Sequence, residues 1–279
     1  MTVTDALLGP LLREDPARPR ITHYDDAAGT RVELSGATLA NWAAKTANWL
    51  RDELDVQPGD PVAVLLPPHW QSVGVLLGAW WCGAVVTDDP AGVVAVLCSA
   101  DRLPEVAGPD EVAAVSLHPL GASVPDLPPG VRDHASEVRV HGDHFSPAPV
   151  PTSTPATPTR TVGALVDAAR ARAAELGLTA EDRVLCTGGW SADGDPMLPV
   201  LAAGAALVQI TGHPAPPDLS QLARRCAQEQ ITATADTQVD GIRALELQRQ
   251  PEVAEAGSSS GSRPGVLRSS ARMRKRNSR

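Results

Sequence analysis

The sequence predicts an α/β fold with largely parallel sheets, on three observations. Val62-Ala63-Val64-Leu65-Leu66 is an unbroken apolar run without alternation, as a strand covered on both faces requires. Turn chemistry frames it, Gln57-Pro58-Gly59-Asp60 before and Pro67-Pro68 after, because proline cannot donate to a strand ladder. The run also sits in a helix–strand–helix–strand rhythm, with an amphipathic helix ahead of it and a second helical pattern leading into Ala84-Val85-Val86.

The elements follow in order. Residues 5–13 read as a short helix with Leu7, Leu8, Leu11 and Leu12 on one side. Ile21-Thr22-His23-Tyr24 and Val32-Glu33-Leu34 are short strands around a hairpin-like loop, Asp25-Asp26-Ala27-Ala28-Gly29. Thr38 is placed to cap the next helix, where Leu39, Trp42, Ala43, Thr46, Trp49, Leu50 and Leu54 form one broad buried face. Residues 71–82 predict a buried helix closed by Gly83 as a left-handed C-cap, then a strand over 85–87 and the turn Asp88-Asp89-Pro90. Strands over 93–97 and 113–117 flank a short helix near 103–107, and 118–131 is Pro-rich loop.

Residues 147–158 are rich in Pro, Thr and Ser and lack apolar periodicity. Beyond them the pattern resumes with helices over 162–176, 196–203 and 219–229 and strands over 183–187, 206–210 and 231–235. The chain therefore divides into a first α/β subdomain (1–146), a linker or loop (147–160) and a second α/β subdomain (161–247). From Gln248 apolar content falls, and Gly257-Ser258-Ser259-Ser260-Gly261-Ser262 with its Arg-rich sequel predicts a disordered basic tail over 248–279.

Composition bounds the function. The 279 residues carry a net charge of −9, and seven basic residues without an acid fall between Arg263 and Arg279, which leaves −16 on the preceding chain. So acidic a body argues against nucleic-acid binding. Cys82, Cys98, Cys186 and Cys226 are widely spaced without a CxxC pair, which predicts reduced core thiols in a cytoplasmic protein. The N-terminus lacks a basic n-region, and no apolar run approaches the ~20 residues that span a bilayer.

At Thr38-Leu39-Ala40-Asn41, Gln57-Pro58-Gly59-Asp60-Pro61-Val62-Ala63-Val64-Leu65-Leu66-Pro67, Leu77-Gly78-Ala79-Trp80-Trp81-Cys82-Gly83-Ala84-Val85-Val86 and Asp89-Pro90 the chain resembles the N-terminal part of the adenylate-forming (AMP-dependent synthetase/ligase, acyl-CoA synthetase-like) superfamily. A second block, Leu176-Gly177-Leu178-Thr179-Ala180-Glu181-Asp182-Arg183-Val184-Leu185 and Pro199-Val200-Leu201-Ala202-Ala203-Gly204-Ala205-Ala206-Leu207-Val208, is similar to segments that follow that superfamily's phosphate loop. The resemblance covers roughly residues 1–236 and implies a short, truncated adenylate-forming N-terminal domain.

The departures bear on function. Aligned without gaps, Pro151 to Val162 stands where the superfamily has a loop of the type Y-T-S-G-T-T-G-x-P-K-G-V. Thr152 and Ser153 match it and Arg160 takes the Lys position. The glycines that let backbone amides approach phosphates are replaced by Thr154, Thr157 and Thr161. After the strand over 183–187, Gly188-Gly189-Trp190-Ser191-Ala192 lacks the usual His, and no counterpart of the family's lid with its catalytic Lys is present. The reading is a degenerate homologue without acyl-adenylating activity. It keeps at most a weak nucleotide or acyl-ligand site, faced by Thr152, Ser153, Thr154 and Arg160, with ATP and AMP disfavoured as cofactors. One alternative is an AMP-forming ligase subunit completed by a separate lid-bearing chain; another is a protein-interaction module. No catalytic residue is assigned. His141-Gly142-Asp143-His144, near Asp133 and His134, reads as a solvated loop rather than a metal site, since consecutive loop residues do not supply three or four converging ligands.

Overall fold

The computed structural model describes residues 1–106, 111–191 and 193–245. The tail expected over 248–279 lies outside them. Helix α1 (Val3–Glu14) opens on a reciprocal cap: Thr2 Oγ1 accepts the Asp5 N–H at 3.1 Å while the Asp5 carboxylate accepts the Thr2 N–H at 3.0 Å. Strands β1 (Pro19–Asp25) and β2 (Thr30–Ser35) form an antiparallel hairpin, as expected. Helix α2 (Gly36–Glu53) starts earlier than the sequence predicts, because Ser35, not Thr38, is its N-cap. Ser35 lies in extended conformation at the strand end, so its Oγ accepts the Thr38 N–H at 3.2 Å.

Strand β3 (Pro61–Leu65) is the apolar run, and helix α3 (Trp70–Cys82) follows it. Gly83 ends α3 at φ 89°, a left-handed conformation that favours glycine. Then come β4 (Val85–Thr87), β5 (Ala95–Cys98), a 3-10 turn (Ala100–Glu105) and β6 (Glu111–Ala114). β7 (Val131–Asp133) and the four-residue α4 (His134–Glu137) were not expected from the sequence. Helix α5 (Val162–Glu175), β8 (Arg183–Cys186), α6 (Met197–Ala202), β9 (Ala206–Thr211), α7 (Leu219–Gln228), β10 (Ala233–Thr234) and β11 (Arg243–Ala244) complete the described chain.

The strands make two sheets. One runs β4-β3-β5-β6-β7 and is parallel throughout. The other runs β11-β10-β8-β9-β1-β2 and is parallel except at the β1–β2 hairpin. The hairpin thus pairs with β9, Ile21 opposite Leu207 and Tyr24 opposite Ile210, so this sheet draws strands from both sides of the 147–160 stretch.

One apolar core joins the sheets, with α1, α2, α3, α5 and α6 all contributing to it. Trp49 and Trp80 are fully buried at 0 % and 1 % exposure, each worth about 2–3 kcal/mol of burial. Helices α2 and α3 approach closely at Gly78: a Cβ there would meet Thr46 Cβ at 2.7 Å and the Ala43 carbonyl oxygen at 2.9 Å. All four cysteines are free and buried. Among the described residues no helix is long and apolar enough to cross a membrane.

Candidate functional site

The loop over 151–163, expected from the sequence to stand at the phosphate-loop position, folds in on itself. The N–H groups of Thr154, Ala156, Val162 and Gly163 donate to the carbonyls of Pro151, Arg160, Thr154 and Thr152 at 2.8–3.0 Å, and Thr157 N–H donates to the Arg160 carbonyl at 3.1 Å. Its Ala156 carbonyl accepts both the Val86 N–H of β4 at 2.9 Å and the Trp80 indole N–H of α3 at 3.0 Å. An anion cradle needs several N–H groups aimed at one point outside the loop. Here those of Thr154, Ala156, Thr157, Val162 and Gly163 are consumed within it.

The loop's cation is engaged as well. Arg160 Nε donates to Asp193 Oδ2 at 2.7 Å, and the buried Thr157 hydroxyl donates to Asp193 Oδ1 at 3.2 Å. Of the other expected site residues, Thr152 and Ser153 are exposed and Thr154 is half-buried. Asp193 escaped the sequence reading because an acid in a Gly-rich loop carries no local signal; only folding sets it beside Arg160.

Asp193 belongs to the loop after β8, which forms one wall of a pocket of about 150 Å³. Val64 and Leu66 from the end of β3, Leu76 and Trp80 of α3, and Val86 of β4 face Trp190, Ser191 and Gly194 across it. Thr152, Ser153, Thr154 and Arg160 are not among its lining residues. The pocket adjoins the loop through Trp80 and Val86, which bond to the Ala156 carbonyl. In an open α/β sheet the space beyond the carboxyl ends of the strands is where ligands bind, and this pocket occupies such a position for β3.

The carboxyl ends of the second sheet are tied together by side chains. Asp236, after β10, accepts the Thr187 N–H at 3.0 Å, the Thr187 hydroxyl at 3.1 Å and the Gly188 N–H. His213 sets Nε2 against the Thr187 carbonyl and Nδ1 against the Pro214 carbonyl, both at 3.0 Å, and these acceptors raise its pKa. Burial, with the Asp236 charge added, pushes the Cys186 thiol well up, so it is no nucleophile at neutral pH. Asp195, at the far end of the loop after β8, has its pKa raised by burial, with Arg172 opposing.

The His141–His144 segment is strapped to α2 instead of standing free. Lys45 Nζ donates to the His141 carbonyl at 2.6 Å and pairs with Asp143 at 2.9 Å, while Asn48 donates to the Gly142 and His144 carbonyls. Among the described residues no three His, Cys, Asp or Glu side chains converge as a metal set would.

Comparison with known proteins bears on the family and the fold. Residues 13–88 match the family described as AMP-binding enzyme. A protein of Mycobacterium tuberculosis (strain ATCC 25618 / H37Rv), described as "TIGR03089 family protein", is 50% identical over 245 residues, covering 83% of this chain and 97% of that protein. Among solved structures, a Brucella canis acyl-CoA synthetase aligns with a TM-score of 0.65 at 18% identity, over 84% of this chain and 47% of its own. The anthranilate CoA ligase AuaEII, solved in complex with anthranoyl-AMP, gives 0.66 at 14% identity, over 84% and 49%. VinN gives 0.61 at 22%, over 84% and 60%. The chain thus spans about half the length of these structures. It belongs to the TIGR03089 family, built on the fold of the N-terminal part of adenylate-forming enzymes.

Proposed function

We propose that this chain is a non-adenylating relative of the adenylate-forming enzymes which keeps a small acyl-type ligand site. The observation that carries the reading is the loop over 151–163. Adenylation requires charge stabilisation on the phosphates being transferred, normally from preorganised N–H donors and a cation. In this loop the N–H groups of Thr154, Ala156, Thr157, Val162 and Gly163 donate to the loop's own carbonyls. Its one basic side chain, Arg160, is paired with Asp193 at 2.7 Å.

The anthranilate CoA ligase of similar fold holds anthranoyl-AMP; this chain, on the proposal, forms no such adenylate. The test is purified protein with Mg-ATP and a panel of carboxylic acids, with pyrophosphate release as readout. The expected result is release no faster than in buffer, and a Tm that ATP and AMP leave within about 1 °C. Acid-dependent pyrophosphate release would overturn the proposal.

A further inference from the structure

Among the described residues the two sheets end in four edge strands, β4, β7, β11 and β2. β4 is covered, since its Val86 N–H donates to the Ala156 carbonyl at 2.9 Å. β7 and β11 are short, at three and two residues. β2 differs from all three: it runs for six residues, Thr30–Ser35, without a proline. Its antiparallel ladder with β1 uses the N–H and C=O groups of alternate residues, and the others point away from the sheet. Among the described residues no backbone hydrogen bond from outside that ladder reaches Thr30 to Leu34.

An open edge of this kind is a template for a further strand, and charged side chains along it ordinarily deter pairing. On β2 the charges are self-complementary. Arg31 and Glu33 are both exposed and, two residues apart, share one face of the sheet. If β2 pairs antiparallel with β2 of a second copy, Val32 opposite Val32, each Arg31 stands opposite the Glu33 of the other chain. Shifting that register by two residues either way sets Arg31 opposite Arg31 or Glu33 opposite Glu33 instead, so the charges select one register. The side chains are also held ready. Arg31 donates through Nε to Glu229 Oε1 at 2.8 Å and through Nη2 to Glu33 Oε2 at 2.7 Å. Among the described residues Arg31 Nη1 and Glu33 Oε1 carry no hydrogen bond, which leaves one donor group and one acceptor for a partner.

We propose that β2 is the interface of a homodimer, in which two copies pair antiparallel about Val32 and join their 6-stranded sheets into one. The interface uses no residue of the loop over 151–163, so it is independent of the non-adenylating reading.

The test is the light-scattering mass of the full chain in size exclusion, loaded at about 1–100 µM, with a rise from monomer to dimer expected. Arg31→Glu and Glu33→Arg each set like charges opposite one another, and each is expected to weaken dimerisation at least about tenfold. An equimolar mixture of the two variants is expected to recover the dimer, because one chain then offers two carboxylates and the other two guanidinium groups. Mixing would not repair a merely local structural defect. Val32→Cys keeps the test decisive should either charge variant fail to fold. The four native cysteines are buried, so mild oxidation is expected to link two chains at position 32. Thr30→Cys, which would stand opposite Leu34, is expected not to link. The proposal is overturned by a monomer mass at every concentration, by single charge variants that dimerise like the wild type, by folded variants whose mixture stays monomeric, or by cross-linking at position 30 rather than 32.

Discussion

Asp193 holds two groups of the loop over 151–163 at once, the Arg160 guanidinium and the Thr157 hydroxyl. The ion pair is 42 % and 33 % exposed, so solvent screens it and its contribution to stability is small. Asp193→Ala is therefore expected to cost no more than about 1 kcal/mol in urea unfolding. It releases the Arg160 guanidinium but leaves the N–H groups of Thr154, Ala156, Thr157, Val162 and Gly163 bonded inward, so AMP titration of the variant is expected to show no gain in affinity. A clear gain would place the obstacle in the ion pair rather than in the backbone. Sequence reasoning singled out the 151–162 stretch and Arg160 as candidates. It missed Asp193 because the partner of a surface arginine is fixed by which loop the fold brings near, not by spacing along the chain.

The contact between α2 and α3 is set by one missing side chain. Gly78 lets the helices approach until Thr46 Cβ and the Ala43 carbonyl stand under 3 Å from where a Cβ would be. Gly78→Ala is expected to destabilise by about 1–3 kcal/mol through overpacking, read as a fall in urea midpoint. Adding Thr46→Ala would leave the loss largely in place, because the Ala43 carbonyl is backbone and Thr46 keeps its Cβ. Elements of this kind were legible: α3 is apolar around most of its circumference, β3 is a continuous apolar run and β9 opens on one, so burial dictates them locally. β7 and α4 were not. Val131–Asp133 is only half-buried, and what fixes it is parallel pairing with β6, helped by Arg132 bridging Glu111 and Glu137 at 2.8 and 2.9 Å. Such a strand exists through its neighbours rather than its own propensity.

Across the whole molecule, three buried histidines set the response to acid. Desolvation holds His23 and His134 at a pKa of about 4 and His69 at about 3. His23 and His69 pack ring to ring at 4.4 Å, joining β1 of one sheet to the helix cap beside the other. His69 Nδ1 accepts the Gln71 N–H at 3.1 Å, a role that protonation would end. In each case the unfolded chain takes its proton first, near the ordinary pKa of about 6.5. Stability is therefore full above that value and falls as pH drops towards 4 and below. Glu229, whose pKa sits at about 2 despite burial because Arg31, Tyr24 and Arg183 bond to it, adds a further loss below about 4.5. Urea midpoints measured between pH 8 and 4 are expected to decline steadily below about 6.5; a flat profile would contradict burial of these rings in neutral form.

The β1–β9 pairing reaches beyond architecture into synthesis. His23 bonds Thr211 across a separation of 188 positions, and β1 has no other neighbour in its sheet besides the charged β2 hairpin arm. At a translation rate of about 5–20 residues per second, β1 waits roughly 10–40 s before its partner strand is made. Throughout that interval β1, with Ile21 on one face and Tyr24 on the other, keeps an open strand edge on a nascent chain, a template for pairing with other chains. The 5-stranded sheet can form earlier, from strands that lie within residues 61–133. The protein's hazard in the cell is thus one of timing: β1 and β2 wait for a partner strand made long after the 5-stranded sheet, and chaperone capture of the emerging β1–β2 segment is where that hazard would be met.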